Sequence, residues 1–265
     1  LGNTISAKQP ILDAGCSAGL IAKCAQAGGA DLIVVYSTGR SRLMGLPTTR
    51  LGDANRVTVE MVDEILNVVQ DTPVVGGIDA TDPTRWDLLK VVKTYRAAGF
   101  DGIINFPTIS IFDDWRKRGD QVGLGFAREV ELIKIAHDED VFTMSYVSTP
   151  DDAAQMARAG VDCVVTHFGP TTGGMTGYQS EQTPDQLTER MTEIMQAALT
   201  ERHDVICLAH GGSIATPEDT APLYRGTPCL GFFGASSIER IPVEEAVTVR
   251  VQEFKSVPMQ KILAE

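Results

Sequence analysis

The sequence has few of the residues that form disulfide-bonded scaffolds. It contains five cysteines in 265 residues, and no two of them stand in a C-x-x-C pair. Most of these cysteines lie in apolar segments, which is typical of reduced thiols. The pattern argues against a disulfide framework and favours a cytoplasmic protein.

Positive charge and long apolar runs are also scarce. The formal net charge is -12 at pH 7, whereas a protein that binds the phosphate backbone of a nucleic acid needs a basic face. No apolar run reaches the ~18 residues typical of a transmembrane helix. The first ten residues, LGNTISAKQP, lack the basic-then-apolar order of a signal peptide. We therefore expect neither a nucleic-acid partner nor a membrane partner.

What the chain contains instead is a repeated strand–helix pattern. A helix with an apolar stripe is followed by small residues and glycine, then aspartate, then a β-branched run, as in residues 25–36 and 157–168. Runs that are apolar on both faces are typical of parallel strands covered by helices. The pattern predicts strands at 11–14, 32–37, 74–79, 102–106, 142–147, 163–168, 205–209 and 229–233. It predicts helices at 18–27, 59–69, 85–98, 127–138, 150–159, 184–202 and 217–224.

Eight strand–helix units in a chain of this length predict an α/β fold, a single (β/α)8 TIM barrel, with residues 1–265 as one domain. An open doubly wound sheet would usually need fewer strands. The loops 38–58, 107–125 and 169–183, which follow strands, are long, whereas the turns that precede strands are short. In a barrel the long loops lie on the C-terminal face, where active sites are built. We expect the functional site on that face.

Two glycine-rich loops near the end of the chain predict an anion-binding site. The predicted seventh strand runs into HGGS, and the eighth runs into GASS. The loops after strands seven and eight of a TIM barrel commonly hold a phosphate, because several backbone N–H groups converge on one point. The alternative is that the glycines only allow tight turns and close helix–sheet packing. The candidate ligand-binding residues are Gly211, Gly212, Gly234, Ser236 and Ser237.

Seven short motifs, taken in order, resemble a known family. They are YSTGR (36–40), GDAN (52–55), ATDP (80–83), NFPT (105–108), TTGG (171–174), HGGSIATPED (210–219) and GFFGASSIER (231–240). Together they resemble the phosphoenolpyruvate hydrolase-like TIM-barrel family over roughly the whole chain, and they also look like the C-terminal domain of a plant tobamovirus-resistance protein. The resemblance implies a barrel related to the indole-glycerol-phosphate synthase and phosphoenolpyruvate mutase groups. The mutase and phosphonopyruvate hydrolase group usually carries a D-x-D-type Mg²⁺ loop after an early strand, and this sequence lacks that pattern.

The candidate catalytic residues are His167, His210 and Asp79, each at the end of a predicted strand. A neutral imidazole near pH 7 can donate or accept a proton. The alternative for either histidine is a structural role in which the ring is bonded to a loop. Asp79 could act as a general base, bind a metal or orient a histidine.

The cofactor is left open, with a divalent metal such as Mg²⁺ as the candidate. One aspartate and two histidines on a shared rim are enough donors for such an ion. However, these residues come from separate strands, and the sequence has no H-x-H or H-E-x-x-H spacing. We therefore assign no residue as a metal ligand.

The loop after the second strand contains four arginines in an otherwise acidic chain, Arg40, Arg42, Arg50 and Arg56. Arginine can bind a carboxylate or a phosphate through two parallel hydrogen bonds. Arg40 is favoured as the ligand contact because it follows Ser-Thr-Gly directly. The alternative is that these arginines are solvated or form ion pairs between subunits.

Asn105, at the end of the predicted fourth strand, could bond a hydroxyl or carbonyl group of a substrate. Tyr146 and Ser145 on the fifth strand are alternates, since adjacent residues of a strand face opposite ways. A Schiff-base aldolase is disfavoured, because none of the predicted strands contains a lysine.

These features favour an enzyme that acts on a small phosphorylated or carboxylated keto compound by hydrolysis, carbon–carbon cleavage or enol–keto chemistry. The first alternative is a non-catalytic regulatory or interaction module that has kept an anion pocket, which burial of the histidines away from the pocket would favour. The second is a metal-dependent lyase that uses Asp79. We also expect a homo-oligomer and a small anionic metabolite as the partner.

Overall fold

Eight parallel strands close into a barrel in chain order, with the last strand paired to the first. This architecture is seen in a computed structural model that describes residues 1–179 and 184–259, without the side chains of residues 184 and 185. The predicted TIM barrel and its eight strands are confirmed, with strand ends within two residues of those predicted. The strands are β1 Ile11–Gly15, β2 Leu32–Val35, β3 Val74–Gly77, β4 Gly102–Ile104, β5 Phe142–Val147, β6 Cys163–His167, β7 Ile206–His210 and β8 Gly231–Gly234.

The described residues also contain eleven α-helices and one π-helical turn, Ser236–Arg240. Two long regions predicted as loops are partly helical: 38–58 contains α3 and the first turn of α4, and 107–125 contains α6. The helices are α1 Gly2–Ser6, α2 Gly19–Ala27, α3 Ser37–Leu43, α4 Ala54–Leu66, α5 Leu88–Ala98, α6 Asp113–Asp120, α7 Phe126–Asp138, α8 Pro150–Arg158, α9 Pro184–Glu201, α10 Pro217–Gly226 and α11 Ile241–Ser256.

Local capping explains where several helices begin. The Asp53 carboxylate accepts a hydrogen bond from the Arg56 N–H at 2.9 Å, so α4 begins at Ala54 and not at the predicted position 59. The Thr149 hydroxyl accepts from the Asp152 N–H at 3.1 Å and starts α8 as its Thr-Pro-Asp sequence predicts. The Thr-Pro-Asp sequence at 183–185 predicts the same kind of cap, but position 183 lies outside the described residues. Such caps satisfy N–H groups that have no partner within the helix.

The buried apolar side chains among the described residues form two separate clusters. The larger one lies between the strands and the surrounding helices. The smaller one fills the barrel with every second side chain along each strand. Examples are Leu32 and Val34 of β2 and Tyr36, which directly follows β2. Filling of this kind is expected for an eight-stranded barrel, whose interior is just wide enough for side chains. Toward the C-terminal face this interior becomes aromatic, and the Tyr146 ring contacts those of Phe106 and Phe233.

The last helix, α11, contributes nothing to either cluster. None of its residues is buried, and Val247 and Phe254 are among its exposed apolar side chains. No helix in the described part of the chain combines the length and the hydropathy that crossing a membrane requires.

Candidate active site

His167 and His210 end adjacent strands and meet inside the mouth of the barrel. They are paired in register between β6 and β7, and their ring centroids lie 4.9 Å apart. Only 4% of His167 and 5% of His210 are exposed. The sequence placed both residues at strand ends but left open which way each side chain points. The barrel register directs both rings inward.

The two histidines are held in opposite tautomers. The Gly169 N–H donates a hydrogen bond to Nδ1 of His167 at 2.9 Å, so in the neutral ring the proton is on Nε2. Nδ1 of His210 lies 2.8 Å from the carbonyl oxygen of Phe233, which can only accept, so this nitrogen carries the proton. His210 is therefore left with a lone pair on Nε2, whereas His167 is left with an Nε2–H.

Burial keeps both rings neutral. It lowers the pKa of His210 to about 4, while the hydrogen bond to the Phe233 carbonyl opposes this shift and Arg42 adds to it. Burial also holds the pKa of His167 well below its usual range, and the neighbouring His210 lowers it further. At pH 7 the site therefore presents a neutral base beside a neutral hydrogen-bond donor.

The Tyr146 ring contacts both histidines. Its centroid lies 4.6 Å from that of His167 and 4.8 Å from that of His210, and it stacks on Phe233 at 5.5 Å. Tyr146 is 0% exposed, and its hydroxyl interacts with the side chain of Tyr36. Burial raises the pKa of Tyr146 well above its usual value, and nearby Tyr36 raises it further, so the phenol stays protonated.

Asn105 bonds the backbone of Tyr146 through both its amide oxygen and its amide nitrogen. Its Oδ1 accepts from the Tyr146 N–H at 2.7 Å, and its Nδ2 donates to the Tyr146 carbonyl at 3.1 Å and to Glu129 at 2.5 Å. Asn105 is 0% exposed. The sequence suggested that this amide bonds a substrate, but its hydrogen bonds are made within the protein.

Glu129 of α7 is a buried acid that the sequence did not reveal. Its carboxylate accepts from Asn105, from the Thr108 hydroxyl at 2.7 Å and from the Ile109 N–H at 2.8 Å. Burial raises its pKa to about 7 against the effect of these hydrogen bonds, and Asp152 adds to the rise. Through its hydrogen bonds to Thr108 and Ile109, Glu129 joins α7 to the loop that follows β4.

Arg42, and not Arg40, is the buried arginine of the region after β2. Arg40 is exposed on α3, whereas Arg42 is 4% exposed and forms an ion pair with Glu239 of the π-helical turn. The Arg42 Nε donates to Glu239 at 2.7 Å, and the Ser17 N–H donates to the same carboxylate at 2.9 Å. The guanidinium carbon lies 5.4 Å from the centroid of the Tyr36 ring. Arg42 thus provides a buried cation beside the aromatic mouth.

The glycine-rich loop after β7 contacts the loop that follows β6. Gly211 and Gly212 have φ of 79° and 60°, in the left-handed region that favours glycine. The Gly212 N–H donates to the Gly169 carbonyl at 3.0 Å, and a Cβ at position 211 would lie 2.2 Å from that same oxygen. These contacts support the tight-turn alternative for both glycines.

Three more predicted ligand-binding residues lie at the end of β8 and directly after it. Gly234 ends β8, and a Cβ there would lie 2.5 Å from a side-chain carbon of Ile238. Ser236 is buried. The Ser237 hydroxyl is buried as well and lacks a hydrogen-bond partner within the described residues. Of the five predicted anion contacts, Ser237 is the one whose polar side-chain atom is buried without a partner.

Asp79 lies just beyond β3 and forms an ion pair with Arg50. Its side chain is fully buried, while that of Arg50 is 48% exposed. Oδ1 of Asp79 also accepts from the Thr81 hydroxyl at 2.9 Å, and its N–H donates to Asn55 at 2.9 Å. The carboxylate thus anchors the segment before α4 to the rim of the barrel.

A match with one family model covers residues 1–257, and that model describes phosphoenolpyruvate hydrolase-like proteins. The chain belongs to this family. It is 40% identical over 266 residues to the "ToMV susceptible protein tm-1(GCR26)" of Solanum lycopersicum, with 98% of this chain and 35% of the tomato protein covered. Identity and coverage are the same for the "ToMV resistance protein Tm-1(GCR237)" of that species. The chain therefore spans about a third of the length of these curated relatives.

Solved structures of similar fold include enzymes named for reactions of small organic acids. The protein is similar to a phosphonopyruvate hydrolase in complex with oxalate and Mg²⁺, with a TM-score of 0.60 and 17% identity over 98% of this chain and 87% of that one. It is also similar to 2,3-dimethylmalate lyase, a member of the PEP mutase/isocitrate lyase superfamily, with a TM-score of 0.62 and 12% identity over 99% of this chain and 89% of that one. At these identities the likeness shows a shared fold.

The residues at the mouth do not fit a dedicated metal centre. Within residues 1–179 and 184–259, no three His, Cys, Asp or Glu side chains are grouped so that they could hold an ion. Asp79 is paired with Arg50, and both histidine Nδ1 atoms are bonded to the backbone. The predicted rim of one aspartate and two histidines is therefore not assembled as a ligand set.

Proposed function

We propose that this barrel is an enzyme that acts on a small carboxylated or phosphorylated keto compound through an enol–keto step. The observation that carries the proposal is the pair of neutral histidines with opposite tautomers, with rings 4.9 Å apart at the ends of β6 and β7. One neighbour offers a lone pair and the other an N–H, which is what proton removal next to a carbonyl requires.

In this step the Nε2 lone pair of His210 takes a proton from the carbon next to the carbonyl group. The C–H bond breaks, an N–H bond forms, and the electron pair moves onto the carbonyl oxygen. The Nε2–H of His167 donates a hydrogen bond to that oxygen as its negative charge develops. His167 remains neutral throughout, because it donates a hydrogen bond without transferring its proton.

Family membership and shared fold support the reaction class. The chain belongs to the phosphoenolpyruvate hydrolase-like family, and similar folds occur in a phosphonopyruvate hydrolase and in 2,3-dimethylmalate lyase. Reactions of keto acids commonly need an enolate to be stabilised, whether hydrolysis or carbon–carbon cleavage follows. Since both histidines are almost fully buried, the proposal also requires the loops over the mouth to open for substrate entry.

The test is exchange of deuterium from solvent into the carbon next to the carbonyl, followed by ¹H NMR. Pyruvate, oxaloacetate and phosphonopyruvate are the probes, and His210→Gln, His167→Gln and the exposed His203→Gln are compared. We expect wild type and His203→Gln to exchange one probe at similar rates, with losses of about 100-fold or more in His210→Gln. Equal rates in wild type and His210→Gln would contradict the assignment of the base.

The pH profile of the same exchange reaction gives an independent check. The pKa of His210 is lowered to about 4, so its lone pair is available throughout the neutral range. We expect the rate to stay flat from pH 8 to pH 5.5 and to fall only as the pH approaches 4. A fall centred near the ordinary histidine pKa of about 6.5 would show that the base is not held in this buried state.

The second candidate is an anion-binding module without turnover, favoured by the burial of both histidines. Thermal shifts with inorganic phosphate, oxalate and phosphoenolpyruvate test it on wild type and on Ser237→Ala. Stabilisation of wild type that is lost in Ser237→Ala, with no exchange of any keto acid, would favour this module. The homo-oligomer, the anionic metabolite as partner and the cytoplasmic location stay predictions.

A further inference from the structure

The final helix, α11, projects from the barrel with its apolar side chains in solvent. None of its residues is buried, and all residues from 249 to 256, the second half of the helix, are exposed. Four exposed apolar side chains lie on one face at helical spacing and form the apolar stripe of α11: Val243, Val247, Val251 and Phe254. Such a stripe normally faces another part of a protein.

The residues of α11 do not favour a helix that stands alone. Four valines and one threonine are among its 16 residues, and β-branched side chains lower the helix propensity. Most of the stability of a helix in a protein comes from the packing of its apolar face. We therefore expect α11 to need a packing surface beyond the one that it has in a single chain.

The outer ring of helices leaves one position of the barrel open. Helices α2, α4, α5, α7, α8, α9 and α10 contact one another in this order, and an eighth helix completes such a ring in a TIM barrel. α11 does not lie between α10 and α2, because a helix there would bury one face.

The strands beside this open position are less covered than the others. Leu12, on the outer side of β1, is only half-buried, whereas Ile33 of β2 and Ile103 of β4 are 0% exposed on the same side of their strands. Leu20 of α2 is 72% exposed, and Leu230, directly before β8, is 39% exposed. The open position therefore presents apolar surface of the kind that a helix covers.

The start of α11 is fixed away from this position. The π-helical turn ends at Arg240 and α11 begins at Ile241, so no loop separates them. The Arg240 guanidinium donates to Glu244 at 3.1 Å and to the Gly173 carbonyl at 2.9 Å. The Met175 N–H also donates to Glu244, at 2.8 Å. Because these bonds hold the first turn of α11 against the loop that follows β6, the helix cannot turn back onto its own barrel while they persist.

We propose that α11 packs on the barrel of a second copy of this chain, between α10 and α2, while the α11 of that copy fills the same position here. Exchange of an identical element is a low-cost route to a dimer. In this arrangement the apolar stripe of α11 covers Leu12, Leu20 and Leu230 of the other copy. The exchange does not depend on the reaction proposed for the barrel mouth.

The test measures the mass of the full chain in solution by light scattering after size-exclusion chromatography. We expect wild type to have at least twice the mass of one chain, and Val247→Asp/Phe254→Asp to have the mass of one. Leu20→Asp, which places a charge in the open position and leaves α11 unchanged, should also give single chains. Val249→Asp is the matched control and should keep the wild-type mass, because Val249 is exposed on α11 but lies off the stripe.

Each outcome decides for or against the exchange. A single-chain mass for wild type would overturn the inference, as would a wild-type mass that persists in Val247→Asp/Phe254→Asp. If that variant dissociates but Leu20→Asp keeps the wild-type mass, α11 pairs with a different surface and the exchange is wrong. All the substituted side chains are exposed in the single chain, so the barrel should fold in every variant, which far-UV circular dichroism checks. Failure of the keto-acid exchange assays leaves these masses unaffected.

Discussion

The Glu239 carboxylate and the Arg42 guanidinium, 197 residues apart in the chain, form a buried ion pair at the mouth of the barrel. Their side chains are 0% and 2% exposed. The pair joins α3, which follows β2, to the π-helical turn, which follows β8, and Ser17 after β1 donates two hydrogen bonds to the same carboxylate. Three consecutive loops of the closed barrel are therefore held together at one acid.

Breaking this pair should be strongly destabilising. In Glu239→Gln the Arg42 charge stays buried without its counter-ion, and we expect the free energy of unfolding to fall by about 3 kcal/mol. Urea unfolding of the variant measures the loss. Glu60→Gln, which removes the partner of exposed Arg56, should change it by about 0.5 kcal/mol or less.

The double variant Arg42→Met/Glu239→Gln should recover much of the loss, since it removes the unpaired charge as well. If the free energy of unfolding of Glu239→Gln lies within about 0.5 kcal/mol of the wild-type value, the pair is not what holds the three loops together.

Glu129 should make the stability of the protein depend on pH between about 4.5 and 7. Its pKa is raised from 4.5 to about 7 in the folded protein, mainly by burial, so in this range the folded state binds more protons than the unfolded state. Protonation of Glu129 stabilises the folded state fully below the pKa of the unfolded chain, and this stabilisation is lost as the pH rises through 7. As the pH rises over this range, we expect the free energy of unfolding of wild type to fall by about 3 kcal/mol relative to that of Glu129→Gln.

Denaturant unfolding of wild type and Glu129→Gln at intervals from pH 4.5 to pH 8 gives this difference directly. Glu131→Gln, an exposed neighbour on the same helix, should follow the wild-type curve. A constant difference between wild type and Glu129→Gln across the range would show that Glu129 does not titrate there.

The ion pair of Asp79 with Arg50 should protect the segment before α4 from proteolysis. Asp79→Asn removes the negative charge but keeps an oxygen that can accept from Thr81. We expect native-state cleavage by trypsin after Arg50 to become about fivefold faster, which corresponds to roughly 1 kcal/mol of lost protection. Peptide mapping of early digests, with Glu60→Gln as the matched control, measures the rate. An unchanged rate would mean that other contacts, such as the Tyr178 hydroxyl on Thr48, hold the segment.

The barrel could be predicted from the sequence because its signals are local. Apolar runs on both faces, glycines after helices and Thr-Pro-Asp sequences before them are properties of a few neighbouring residues. The same local reasoning overlooked α1, α3, α6 and α11. No residue of α1 or α11 is buried, and α6 buries only Gly119, so none of these three helices has an apolar stripe that packs on the core. α3 buries only glycine and polar side chains.

The arginine that lies at the mouth shows the limit of such reasoning. Arg40 and Arg42 are two residues apart, and the sequence favoured Arg40 because of its neighbours. On a helix these positions face different directions, so recognition of α3 would have separated them. Which of the two arginines is buried also depends on Glu239, the ion-pair partner of Arg42, and no local signal marks a buried acid in the π-helical turn as a partner.

The sequence by itself determined the barrel and the positions of two histidines at the ends of adjacent strands, because both follow from strand periodicity. Only the tertiary structure decided what those histidines can do. The register between β6 and β7 brings the rings together, and the Phe233 carbonyl, 23 residues beyond His210, sets its tautomer. Burial by side chains from several strands keeps both rings neutral. Proton positions and pKa values depend on groups that meet only when the barrel closes, and no local pattern encodes them.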